Sequence, residues 1–412
     1  MSDKYKLFSS QHHEMMLRDP ELKSAMATVS GELQTAVRQD DISINFQYGP
    51  SDYDTYQDVT GDASIGSFKA MAHLSLGTEI GEAKLRSKDS VRYRAGHECL
   101  AAASYIFAEP EIGVCQSIGF RNDDDGFSFG YKDGDFGIWY IEGGNFNHIK
   151  QSDFNVNKVD GNGRPGFNLD PQKLNIYKIS YAWHGGLPAY FSVYAGWDEG
   201  WILCHVIDEV NTSVETHLEN PSIPVMACLQ RTAGSGTAKN AYAGSWRAGV
   251  LGGITENNLS NRRFDYSSFN IALPSNTRTS LIFLKSKDLF QGKKNHVKYE
   301  SLFLELNTDG NKSVLFESWN VSDGTLSAPV TWIDRQTDLS VMQYSLQNLE
   351  FTPDPALLFP PRVSTLLGRI DNRRDDIRDQ GFFMFPGDEI LLTAISSGAS
   401  EIGFALRTFE YF

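Results

Sequence analysis

The sequence predicts a mostly β fold, with two jelly-roll-like β-sandwich domains behind a short N-terminal helical arm. Three observations predict it. Rings and turn-formers are both plentiful, with 26 Phe, 17 Tyr, 7 Trp and 36 Gly, a balance that favours sheet over helix bundle. Aromatic residues alternate along short runs such as Phe127-Ser-Phe-Gly-Tyr131 and Ala189-Tyr-Phe-Ser-Val-Tyr194, the period of a strand with one buried face. Turn chemistry interrupts these runs about every ten residues, as in sandwiches and jelly rolls. A chain of 412 residues has room for two or three domains, each able to bury a core without staples.

Residues 1–41 differ from the rest. Asp19-Pro20-Glu21 is a helix-start signal, with a capping carboxylate, proline in the first turn and acid at the positive end of the dipole. Behind it Leu22, Met26, Val29, Leu33 and Ala36 recur at helical spacing. The seam runs for only about two heptads, too short to hold a coiled coil alone. Two readings stay open: a helix packed on its own domain, or an arm that meets copies of itself or a neighbour through Leu22, Met26, Val29 and Leu33.

Residues 42–257 read as the first sandwich. Asp123-Asp-Asp-Gly126, Lys132-Asp-Gly134 and Asp160-Gly-Asn-Gly163, with Thr308-Asp-Gly310 beyond this domain, supply turn residues that tolerate positive φ. Phe136-Gly-Ile-Trp-Tyr140 and Leu174 to Tyr181 add further strands. The polar stretch from Glu256 to Arg263 has no period and reads as a linker. Residues 258–412 then resume the strand pattern in Thr279 to Lys285, His296 to Leu306, Ser313 to Trp319, Glu389 to Ile395 and Glu401 to Phe409. Pro353-Asp-Pro355 and Pro360-Pro361 break it and belong to a long loop.

The net charge is −15, from 52 acidic and 37 basic side chains. Such a surface repels nucleic acid and anionic membrane, because neutralising phosphates takes Lys and Arg. The locally basic Arg369 to Arg378 is interleaved with Asp371, Asp375 and Asp376 and reads as a charge mosaic. No apolar run approaches the ~18–20 residues of a membrane span, and no apolar segment follows the first residues as in a signal peptide. Cys99, Cys115, Cys204 and Cys228 lie far apart, without metal-ligand spacing. The expectation is synthesis in a reducing cytoplasm, with the cysteines as small buried hydrophobes.

Chemistry is sparse. Ala243-Gly-Ser-Trp246 is no GxSxG elbow, Gly234 to Lys239 is no phosphate loop, and the histidines are scattered. Asp153-Phe-Asn155-Val-Asn157 imitates the start of a calcium loop, but Lys158 and Arg164 stand where Gly and Glu belong. Asp123-Asp124-Asp125 reads either as a hard-cation site or as a solvated turn. Glu98, Glu109, Glu142 and Asp198 lie near aromatics, and paired carboxylates in a cleft follow no local spacing rule. The expectation is no catalytic residue, no metal and no cofactor. Gly196-Trp-Asp-Glu-Gly-Trp201 puts Trp197 and Trp201 at a loop tip. They serve there as a sugar platform, a protein-interface anchor or rings folded back onto the core.

One succession of motifs carries more than its chemistry. It runs Arg92-Tyr-Arg-Ala-Gly-His-Glu98, Gln116-Ser-Ile-Gly-Phe120, Asp125-Gly-Phe-Ser-Phe-Gly-Tyr131, Phe136-Gly-Ile138, Gly143-Gly144 and Gln151-Ser-Asp-Phe-Asn155. It continues through Asp160-Gly161, Leu169-Asp170, His205, Asn211 and Asn220-Pro221 to Gly292-Lys-Lys-Asn295 and Pro386-Gly-Asp388. Over residues 90–412 this resembles a domain that recurs in structural proteins of tailed phages and large DNA viruses. The resemblance implies a virion component made in the host cytoplasm, as a tail fibre, baseplate, collar or capsid-surface part, and not an enzyme. Its partners would be itself, as a trimer or larger ring, and other virion proteins. The alternative is a carbohydrate-binding or depolymerising receptor-binding spike that engages a host surface glycan.

Overall fold

The computed structural model describes residues 38–93, 96–186, 188–216, 218–251, 261–308, 312–355, 364–367, 372–376 and 383–411. The chain divides into two compact units on either side of the Thr255–Glu256 bond. The first contains thirteen strands: β1 (Arg38–Asn45), β2 (Thr55–Phe68), β3 (Met71–Ser87), β4 (Glu98–Ile106), β5 (Val114–Arg121), β6 (Gly126–Lys132), β7 (Asp135–Glu142), β8 (Asn145–Lys150), β9 (Asn175–Tyr181), β10 (Ala189–Tyr194), β11 (Trp201–Ile207), β12 (Val225–Arg231) and β13 (Lys239–Leu251).

Two sheets share one long hairpin. Residues 72–76 of β3 pair with β13, which leads on through β4, β9 and β10 to β11. Residues 81–86 of the same strand pair with β12, which leads through β5, β6 and β7 to β8. All the pairings are antiparallel, and β2 follows β3 along both halves. The change of sheet falls where the β2–β3 register shifts between Gly61 and Ala63. A Cβ at Gly61 would stand 2.2 Å from the Ile80 carbonyl oxygen, so only glycine fits that corner. The Asp62 carboxylate closes it by accepting the N–H groups of Thr78 (2.9 Å) and Glu79 (3.3 Å).

The inward faces follow from the period of two. Phe127, Phe129 and Tyr131 of β6 point one way with Phe136, Ile138 and Tyr140 of β7, and all are buried. They meet rings of the opposite sheet: Phe129 against Tyr177 at 4.9 Å, Phe120 against Tyr181 at 5.5 Å, Phe127 against Phe191 at 5.9 Å. The Asp133-Gly134 turn has φ of 51° and 93°, and Gly126 and Gly161 are also left-handed, as their turn signals predict. The fourth signal, Asp309-Gly310, lies outside the described residues.

The second unit is also a two-sheet stack. One sheet orders Asn261–Leu273, Ser400–Tyr411, Lys298–Thr308 and Asn372–Asp376. The other orders Ile333–Asp334, Met342–Ser345, Arg278–Ser286, Glu389–Ser396, Val314–Asn320 and Ser364–Leu367. Tyr266, Leu304, Phe404 and Leu406 of the first pack on Ile282, Leu284, Phe316 and Leu392 of the second.

Two expectations change. The helical arm lies outside the described residues over 1–37, with Leu22, Met26, Val29 and Leu33, and its last residues, 38–41, are strand β1, paired with β13. Among the described residues there is no α-helix, and none long and apolar enough to cross a membrane. Asn261, Arg262 and Arg263, read as linker, open a thirteen-residue strand. Their partners Tyr411, Glu410 and Phe409 come from the chain's other end, a pairing that local polarity does not reveal.

Candidate functional site

The two tryptophans of the β10–β11 connection part company. The turn is closed by backbone bonds from Ala195 N–H to Gly200 O and from Gly200 N–H to Gly196 O, both 2.8 Å. Gly196 and Gly200 take φ of 105° and 66°, which side-chain-bearing residues avoid. Trp197 stands 88% exposed at the tip, whereas Trp201 is half-buried edge-on to Tyr194 at 5.4 Å. The Lys178 ammonium lies 4.7 Å above the Trp201 ring, and burial pulls its pKa down to about 8. The expected pair is therefore one free indole and one packed indole.

At the other end of β10 and β11, the β9–β10 and β11–β12 connections enclose a depression of about 540 Å³. Glu209 lines it and reaches back to the core edge. The Tyr140 hydroxyl lies 2.8 Å from Glu209 Oε1 and 2.9 Å from Glu142 Oε2. Burial first, and then both carboxylates, push the phenol above its ordinary range. One O–H donates to one acceptor at a time, so the two glutamates share it. Of the carboxylates singled out in the sequence, Glu142 alone joins such a cluster. Glu98 is buried at the start of β4, and Asp198 is exposed beside Trp197. Glu209 was not foreseen, because nothing near it in the chain marks it.

The outward face of β5 to β8 carries a third group of rings. Trp139 packs over Gly130, where a Cβ would be 3.0 Å from the indole. The Arg121 guanidinium caps it at 5.4 Å and is held by Ser117 Oγ and the Asn122 carbonyl, both at 3.1 Å. Lys84 joins Glu82 (3.2 Å) to Asp123 (3.0 Å) beside it. Trp139 is buried by these neighbours, while Phe146 of β8 stays exposed.

The Asp123–Asp125 triplet divides its oxygens. Asp123 goes to Lys84, while Asp125 accepts the N–H groups of Glu219 (2.9 Å), Asn220 (3.2 Å) and Gly143 (3.3 Å). Burial pushes the Asp125 carboxyl up against the pull of these donors. Among the described residues no group of three His, Cys, Asp or Glu converges as metal ligands. The other motif residues are also fold-makers. Asn155 Nδ2 donates to the Val206 carbonyl (2.8 Å), Val206 N–H donates to Asn155 Oδ1 (2.9 Å), and Asn155 N–H donates to His205 Nδ1 (3.1 Å). Gln116 exchanges both its amide bonds with Ala108. Asn295 ties the Ser286–Val297 turn, and Asp388 caps the Phe385 N–H.

No family model matches the chain, and no curated protein matches it. Solved structures do. A Bacillus licheniformis β-glucanase is 14% identical with a TM-score of 0.34, over 52% of this chain and 100% of that one. A glycosyl hydrolase family protein from Mycobacterium fortuitum is 11% identical with a TM-score of 0.36, over 51% and 99%. A legume lectin-like domain from Entamoeba histolytica is 11% identical with a TM-score of 0.31, over 52% and 98%. The expectation that the chain is not an enzyme is corrected here: glucanases among the matches remove the ground for ruling catalysis out. At these TM-scores the likeness assigns no activity in its place. The chain is a mostly β protein whose first unit is a curled, jelly-roll-like sandwich.

Proposed function

We propose that this chain is a glycan-binding subunit of a virus particle that engages a host-surface carbohydrate through Trp197. The observation that carries this reading is an indole left 88% exposed on a turn fastened by two backbone bonds. Covering such a ring recovers roughly 2–3 kcal/mol. Its electron-rich face suits the polarised C–H groups of a pyranose, while Asp198 and Glu199 beside it can accept hydroxyl protons. The particle context rests on the motif succession between Arg92 and Asn155. Assembly as a trimer or larger ring would present several such tips together and multiply a weak single-site affinity.

Two measurements test the reading. On an array of host-surface glycans the intact chain should bind, and Trp197→Ala should weaken binding by about 30-fold, the loss of roughly 2 kcal/mol at one anchor. The substitution removes no packing and should leave the unfolding midpoint unchanged. Equal binding by the variant, or no binding by either protein, would refute the assignment. Quantitative mass spectrometry of purified particles then counts copies, and the chain's absence from particles would refute the virion setting.

A further inference from the structure

The depression between the β9–β10 and β11–β12 connections has a chemistry of its own. Its walls include Glu209 and Glu215, the hydroxyl of Ser213, the imidazole of His184 and the methyl groups of Val210 and Val214. Val214 is fully exposed and Val210 more than half so. Residues 184–188 and 208–216 contain no Lys or Arg, so no cation of these segments answers the two carboxylates. Among the described residues no ion pair closes on either of them. No Phe, Tyr or Trp is among the described lining residues, so among them the His184 imidazole alone offers a flat face.

The walls are preorganised. Thr212 and Ser213 both donate their N–H to the Glu209 carbonyl, at 3.1 and 3.2 Å. Glu215 N–H donates to Ser213 Oγ at 3.1 Å, and that hydroxyl returns to the Glu215 carbonyl at 3.0 Å. Across the gap, His184 N–H donates to the Tyr93 hydroxyl at 3.1 Å, and Trp183 Nε1 donates to the Leu218 carbonyl at 3.0 Å. His184 and Asn211 hold left-handed φ of 35° and 63°, a cost that persists where surrounding contacts over-determine the backbone. Only one of the Glu209 oxygens takes the shared Tyr140 proton, which leaves acceptor capacity for a donor entering from outside.

From these walls we infer that the depression is a docking pocket for a lysine or arginine side chain of a partner protein. The aliphatic stem would lie on Val210 and Val214, and the charged head would reach Glu209 and Glu215. Both parts of that side chain are matched: apolar methylenes to exposed methyls, cation to carboxylates. The cavity size falls in the range of small-ligand sites. A protein whose own surface is strongly acidic, at −15, attracts basic partners over some distance. The pocket lies about 20 Å from Trp197, the length of the β10–β11 ladder, so it stands or falls apart from the glycan reading.

The test is a nuclear magnetic resonance titration of the full chain with an acetylated, amidated Gly-Arg-Gly peptide and its citrulline counterpart, which keeps the shape without the charge. The arginine peptide should shift resonances of residues 184–186 and 209–216 and bind about tenfold more tightly than the citrulline peptide. Glu215→Gln, which leaves the Tyr140 contact intact, and Glu209→Gln, which keeps an acceptor for it, should each weaken binding by about three- to tenfold. Raising salt from about 0.05 to about 0.5 M should weaken it further. Equal binding of the citrulline peptide, shifts produced by glucose or galactose but not by arginine, or no shift in this segment would overturn the proposal.

Discussion

Replacing Lys178 by methionine should make the first unit more stable at neutral pH, and the size of the gain can be worked from its surroundings. Lys178 lies on the outward face of β9, only 8% exposed, with its ammonium over Trp201. Burial lowers its pKa from 10.5 to about 8, against the opposing pull of Glu98. A depression of that size corresponds to roughly 3 kcal/mol of penalty on the charged form. Between pH 8 and 10.5 the unfolded chain holds this proton and the folded chain has released it, so stability rises with pH across that window. Lys178→Met abolishes the penalty and forfeits a cation–π contact worth about 1 kcal/mol. The variant should therefore be about 2 kcal/mol more stable near pH 7, and the advantage should fade towards zero near pH 10.5, where the folded lysine is neutral and neither the penalty nor the cation–π contact remains. Chemical denaturation of both proteins across this range, followed by tryptophan fluorescence, measures the difference. A wild-type-minus-variant difference that stays flat between these pH values would refute the reasoning, because every other titrating group is common to both proteins.

Two further predictions concern the sheets. A Cβ at Gly130 would stand 2.2 Å from the Gln116 carbonyl oxygen and 3.0 Å from Trp139, so Gly130→Ala should cost about 2–3 kcal/mol, read as a lowered unfolding midpoint. None of the four cysteines forms a disulfide; Cys99, Cys204 and Cys228 are buried, and burial pushes the Cys228 thiol up to about 12. Alkylation of the native chain near pH 8 should reach only the half-buried Cys115, slowly because burial raises that thiol too, and all four should react in denaturant; mass mapping checks both outcomes.

The strands were legible where one face is apolar and the turn is short. Phe127 to Tyr140 shows both, alternating rings around an Asp133-Gly134 turn, and the structure pairs it in register from Gly126–Ile141 to Lys132–Asp135. The β2–β3 hairpin was not legible. β2 is largely exposed, so it has no hydrophobic period, and the sheet change at Gly61 is set by a backbone contact with Ile80 rather than by any side chain. The indole turn was legible as a turn, but two tryptophans four residues apart carry no sign of which one packs. That choice is made by Tyr194 and Lys178, brought there by β9 and β10. The Tyr140–Glu142–Glu209 cluster was half legible: Glu142 sits beside its phenol in β7, while Glu209 arrives from 69 residues away.

The shared hairpin has a consequence for how the chain is made. β3 finds its two neighbours only when β12 and β13 arrive, with Arg86 opposite Met226 and Leu76 opposite Lys239. The β12 sheet has all its strands once Arg231 has left the ribosome, whereas the β13 sheet must wait for Lys239 to Ala243 to reach the same strand. A nascent chain that ends short of Lys239 carries Ala72, Leu74 and Leu76 of β3, buried in the finished fold, without their β13 partner, and long-range pairing of this kind leaves such an edge open until synthesis passes that point.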